Sequence, residues 1–175
     1  GLVEPNWHFL RKIPVDFELA PKIVIAEIEK LQPDLTICCG MAEKRSHLSL
    51  ESNGSEIDEI LHTKLALEPL LNGTSLTDIS HNAGHFVCNH LYYSILNYCN
   101  HHNRDHYCLF IHVPIIHPFN RDLIVKDFSI VIQNLKSTFS NSTCSLSPLS
   151  LYDKSAPNLT LSNVVVSPDS HLGSS

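Results

Sequence analysis

The sequence has no cationic excess. Its 12 Lys and Arg stand against 18 Asp and Glu, a net charge of −6 with His neutral. A sequence-independent hold on nucleic acid, which works by neutralising phosphates, is therefore not expected. No apolar run approaches the roughly 20 residues needed to cross a bilayer. The opening stretch GLVEPNWHFL lacks the basic, apolar and small-residue order of a signal peptide. No internal repeat is present. There is no C-x-x-C pair, so the crowd of His90, Cys99, His101, His102, His106 and Cys108 is not read as a zinc site. His101 and His102 follow a helical pattern, where an imidazolium suits the helix dipole. No metal and no other cofactor is expected.

What is present suits a soluble globular protein. The 175 residues are 43% apolar and 17% charged, enough to close one real hydrophobic core. Of the six cysteines, Cys38, Cys39 and Cys108 lie inside apolar runs, where a reduced cysteine behaves as a small core residue. A core of this size needs no disulfide staples, and a reducing, cytoplasmic setting fits.

Along the chain, WHFLRKIPV reads as extended and ended by Pro14. Val24, Ile28 and Leu31 share a helical face, which Pro33 stops. PDLTICCG and HYCLFIHVP are short, almost wholly apolar runs, the pattern of parallel strands covered on both faces. HLSLE alternates and predicts a short strand, and TDISHNAG a strand and turn. EIDEILHTKLALEPLLNGTS fits a helix or paired short strands equally. Helical spacing begins near Val87 and recurs at Ile124, Phe128, Val131 and Leu135. From Ser137 the composition turns to Ser, Thr, Asn and Pro. Residues 1–136 are thus expected to form one α/β domain with a mainly parallel sheet, and 137–175 a disordered tail. A strand at LTLSNVVV is the minority reading of that tail.

In such a sheet, active groups gather where strands end and helices begin. Three loops qualify: after Gly40, around Cys88, and at the end of LFIHVP. A helix beginning near Val87 places Cys88 in its first turn, where free N–H groups and the dipole favour thiolate over thiol. His112 is a base at a strand end, and Glu51 a carboxylate that could fix its tautomer. On these grounds alone the other cysteines and histidines stay in contention.

Three blocks reduce that choice. PDLTICCGMAEKRSHLSLES, HNAGHFVCNHLYYSIL and FIHVP resemble, in order, the motif blocks of the pyroglutamyl-peptidase I (pyrrolidone-carboxylate peptidase) family of cysteine peptidases. Gly40, Ala42, Arg45 and Glu51 match the first block. Ala83, Gly84, Phe86, Val87, Cys88 and Asn89 match the second, and His112 and Pro114 the third. The resemblance spans roughly Phe9 to Leu135. It implies a three-layer α/β/α sandwich and a Cys88–His112–Glu51 triad that hydrolyses an N-terminal pyroglutamyl residue from a peptide. Arg45, Met41, Phe86 and Val87 are then expected around the oxyanion and substrate.

The chain also departs from the family. Nothing before Trp7 matches the usual first strand and its glycine- and phenylalanine-containing loop, so that strand is expected to be lacking. Met41 replaces a glutamine, Glu43 and Lys44 replace paired glycines, and Ser52 replaces an arginine. The partner implied is a peptide with N-terminal pyroglutamate, without nucleic acid or membrane, and a homo-oligomer is left open. The alternative is a degenerate, non-catalytic homologue that binds a peptide or partner.

Overall fold

A computed structural model of the chain describes residues 7–102 and 106–142, together with 163–168; for residues 140–142 and 163–168 only the backbone is described. The elements run β1 (Trp7–Ile13), α1 (Leu19–Leu31), β2 (Leu35–Met41), β3 (Ser49–Glu51), β4 (Asn53–Ser55) and β5 (Ile60–His62). A 3₁₀ turn (Glu68–Leu71) leads to β6 (Asp78–Ser80), α2 (Val87–His101), β7 (Tyr107–Val113), α3 (Arg121–Ser142) and β8 (Asn163–Pro168).

Six strands form one sheet in the order β1-β8-β2-β7-β3-β6, and β4 and β5 make a separate hairpin. Neighbours in the main sheet are parallel except β3, which runs antiparallel to β7. The alternation of the apolar runs explains the layering, because successive side chains of a strand point to opposite faces. On one face Cys38, Cys108 and Phe110 pack with Val24 and Ile28 of α1 and Leu91, Tyr92 and Ile95 of α2. On the other, Leu35, Ile37, Leu109 and Ile111 pack with Ile124, Val131, Ile132 and Leu135 of α3. The result is the expected three-layer α/β/α arrangement. Cys38 and Cys39 fall on opposite faces.

Local signals set the element ends. The Asp16 carboxylate accepts hydrogen bonds from the N–H groups of Glu18 and Leu19, both 2.8 Å, at the start of α1. Gln32 closes that helix in the left-handed region (φ 49°), its N–H donating to the Ile28 carbonyl, and Pro33 forbids continuation. On α3, buried Asp127 accepts from the N–H groups of Ser75 and Leu76 and from the Thr77 hydroxyl. That ties the loop before β6 to the helix.

Two expectations are corrected. The boundary at residue 137 falls inside α3, whose helix continues to Ser142. Within the Ser/Thr-rich stretch, Asn163–Pro168 is a strand paired with β1 on one side and β2 on the other. The minority reading of a strand at LTLSNVVV is the one the structure bears out: two flanking ladders order the segment, a non-local effect that outweighs the composition around it. The rest of that stretch, and the residues before Trp7 where the family's first strand was sought, lie outside the described residues. The ambiguous segment 56–75 resolves into β5 and the 3₁₀ turn rather than a helix. Among the described residues no helix is long and apolar enough to cross a membrane.

Candidate active site

The three loops singled out from the sequence meet at the C-terminal end of the central strands β2 and β7. Gly40, near the end of β2, is the register partner of His112 on β7. A β-carbon at Gly40 would stand 2.8 Å from Cys88 Sγ and 2.8 Å from Phe110 Cζ. The missing side chain is therefore the notch that admits the sulfur. The Phe110 and His112 rings, two residues apart on the same face of β7, have centroids 4.9 Å apart. Sulfur and imidazole thus occupy neighbouring positions on the α2 side of the sheet. Among the described residues no hydrogen bond joins them.

The His112 side is polar and tightly held. His112 Nδ1 lies 2.7 Å from Glu51 Oε1, with both residues buried. Arg45 Nη2 donates to the same Oε1 at 2.7 Å, so that oxygen is an acceptor and the histidine proton belongs on Nδ1. Glu51 reaches the ring because β3 runs against β7, setting Glu51 opposite Phe110 and Ser49 opposite His112. The Tyr92 hydroxyl donates to the Glu51 carbonyl at 3.0 Å and fixes that backbone from below. The second carboxylate oxygen, Oε2, is buried with no hydrogen-bond partner among the described residues.

Arg45 also donates to Ser80 Oγ (3.0 Å) and to the Asn82 carbonyl (3.1 Å). Asn82 Oδ1 accepts from the Gly84 N–H at 2.9 Å, and Gly84 turns in the left-handed region (φ 85°), where a β-carbon is unfavourable. The guanidinium therefore couples the carboxylate to the turn that feeds α2. The hydrogen bonds of Arg45, expected beside the oxyanion, go here to Glu51 and the turn. Ser80 and Asn82 were not anticipated, although S-x-N-x-G is the composition of a side-chain-stabilised turn.

The Cys88 side is apolar. α2 begins at Val87, so Cys88 sits in its first turn as expected. Asn89 pins that turn to β4: its Nδ2 donates to the Ser55 carbonyl (2.7 Å) and its Oδ1 accepts from the Ser55 N–H (2.9 Å). The neighbouring Gly54 lets the two backbones approach, since a β-carbon there would lie 2.6 Å from the Tyr93 nitrogen. The surroundings of the sulfur work against the thiolate expected of a helix start. Burial pushes the Cys88 thiol up to about 11, aided by Cys38 and, least, by Glu51, while its own backbone N–H pulls the other way. Desolvation of the charged form outweighs the helix start here.

A small apolar cleft opens beside the sulfur, walled by Ile13, Pro14, Val15, Val87, Leu91 and Phe110. Met41 and Phe86 stand half exposed and largely exposed, respectively; Val87 is the one of the expected substrate residues that lines the cleft. A larger groove of about 600 Å³ runs along α1 and α2, lined by Ile25, Tyr93 and Tyr98, but contains neither Cys88 nor His112. Among the described residues no three His, Cys, Asp or Glu side chains group as a metal site requires.

Comparison with known proteins places this arrangement. Residues 62–127 match the pyroglutamyl peptidase family model. The pyrrolidone-carboxylate peptidase of Brachyspira hyodysenteriae is 30% identical over 70% of this chain and 79% of its own. The chain belongs to the pyroglutamyl peptidase family. Its class is accordingly that of the cysteine-type omega peptidases. The Bacillus licheniformis pyrrolidone-carboxylate peptidase is 27% identical, covering 65% of this chain and 72% of its own. Among solved structures, pyroglutamyl peptidase I of Bacillus amyloliquefaciens superposes with a TM-score of 0.61 at 23% identity, over 70% of this chain and 75% of that one. A mutant pyrrolidone carboxyl peptidase of Pyrococcus furiosus gives 0.63 at 18% identity, over 73% and 80%. These structures share the fold.

Proposed function

We propose that this chain removes an N-terminal pyroglutamyl residue from peptides, with Cys88 as nucleophile, His112 as general acid and base, and Glu51 as the group that orients His112. The observation that carries the reading is the buried Glu51–His112 hydrogen bond on the face where Gly40 makes room for the Cys88 sulfur. With its proton on Nδ1, His112 offers Nε2 as the base. Because the resting sulfur is a thiol, His112 takes its proton as sulfur attacks the scissile carbonyl, rather than finding a thiolate ready. First-turn N–H groups of α2, which have no carbonyl four residues back within the helix, are the natural donors to the oxyanion. Collapse breaks the C–N bond, and the proton held on Nε2 goes to the departing amine. A water then gives its proton to His112 and its oxygen to the acyl carbon, and the proton returns to sulfur as pyroglutamate leaves.

The cleft is small, about 40 Å³, and its lining contains no charged residue, so it penalises the ammonium of an ordinary N-terminus, since an unpaired buried charge is costly; the substrate class itself comes from the family. The test is hydrolysis of a fluorogenic pyroglutamyl amide by wild type and Cys88→Ala. Turnover is expected in the first and only background in the second. Turnover that survives the alanine change removes Cys88 as nucleophile, and a wild type inert on every pyroglutamyl peptide removes the reading.

A further inference from the structure

We infer that β8 is a positioning element for the substrate cleft: the chain segment at 163–168 holds the Ile13–Pro14–Val15 wall against Cys88. The inference rests on the proposed function for its kinetic arm alone. β1, which ends in that wall, has no ladder with β2; in the sheet order β8 stands between them. Trp7 to Leu10 pair in register with Asn163 to Val166, and Leu35 to Cys38 pair with the same four residues from the other side. The continuous hydrogen-bonded route from β1 to the strand bearing Gly40 therefore runs through β8.

The register adds a second observation. Leu10 pairs with Val166 but Ile13 pairs with Pro168, so β1 carries one residue more than β8 across that step. Lys12 takes up the excess in the left-handed region (φ 61°), a conformation that a non-glycine side chain holds only where its surroundings impose it. A bulge of this kind re-aims the residue beside it. Here the residue beside it is Ile13, which is buried, packs with the α1 and α2 core, and lines the cleft. The partner against which the bulge is defined is β8. Losing β8 removes the reason for Lys12 to stay left-handed and for Ile13 to face Cys88, while β2, β7 and β3, which carry the notch, the imidazole and the carboxylate, remain paired with one another.

The test uses the full chain with Val165→Pro, which deletes a backbone donor in the middle of β8, and Val165→Ile, which keeps it. Hydrogen exchange is read in β1 and in α2 and β7, and kcat and KM are read on the pyroglutamyl amide. In Val165→Pro, β1 amides are expected to lose protection while α2 and β7 keep theirs, KM to rise about tenfold or more, and kcat to change little, the signature of lost ground-state binding. Val165→Ile is expected to match wild type. Protection kept in β1, protection lost throughout the molecule, an unchanged KM, or an equal defect in Val165→Ile each overturns the inference. The exchange arm reads the tether even in a chain that turns nothing over, so its failure is distinct from failure of the proposed function.

Discussion

The two sides of the candidate site are built by opposite means. On one side of His112 the surroundings are polar and tied: Glu51, Arg45, Ser80 and Asn82 form one hydrogen-bonded run from β3 to the turn before α2. Around Cys88 the surroundings are apolar, and the sulfur is placed by shape, in the notch at Gly40. The difference teaches how the work is divided. In the proposed mechanism the polar side supplies the base, and the apolar side, by disfavouring a charged sulfur, leaves activation to the reaction step.

The sharpest way to break this division is Glu51→Gln, which leaves the shape of the site and removes the carboxylate. A loss in kcat of about 10²- to 10⁴-fold is expected, the usual worth of positioned acid–base catalysis, checked by steady-state kinetics with the Cys88 side unaltered by circular dichroism and melting. Next comes the sulfur itself. With its thiol held up to about 11, Cys88 has little thiolate at pH 8, and alkylation by iodoacetamide is expected to run on the order of tens of fold slower than free cysteine. The rate should climb with pH towards that midpoint, followed by mass spectrometry of the labelled peptide. In Glu51→Gln the midpoint should fall slightly, because the carboxylate is among the groups that raise it. A fast, pH-independent label on wild type would erase the contrast between the two sides. Smallest is Gly40→Ala. Its β-carbon fills the notch against both Cys88 and Phe110, and overpacking of this kind costs roughly 1–3 kcal/mol, expected as a lower melting temperature with a kcat loss of about tenfold.

Much of the fold was legible because its signals are local. The apolar runs ending at Gly40 and His112, the spacing of Val24 and Ile28, and that of Ile124, Phe128, Val131 and Leu135 each declare an element and a buried face. β8 was legible only as the minority reading of its stretch, because its order comes chiefly from two neighbouring strands and the residues around it read as disordered. In the site, the positions of Cys88, His112 and Glu51 stood out through three motif blocks. The Arg45 clamp on Ser80 and Asn82 did not, since its partners are a hydroxyl and a backbone carbonyl in a turn, which no spacing rule marks. The proton affinity of the sulfur misled for a related reason. A helix start can be read from a sequence, but the desolvation that opposes it depends on which residues close over the sulfur in three dimensions.

β8 also has a consequence for how the molecule comes to be made. A ribosome delivers β1, α1 and β2 before the strand that belongs between β1 and β2, which emerges only after α3. N-terminal parts of a chain generally begin folding during synthesis, but the seam between β1 and β2 cannot close until β8 has been made. An unpaired strand edge is a surface on which chains associate wrongly. The yield of folded protein should therefore depend on how quickly β8 follows, as well as on final stability.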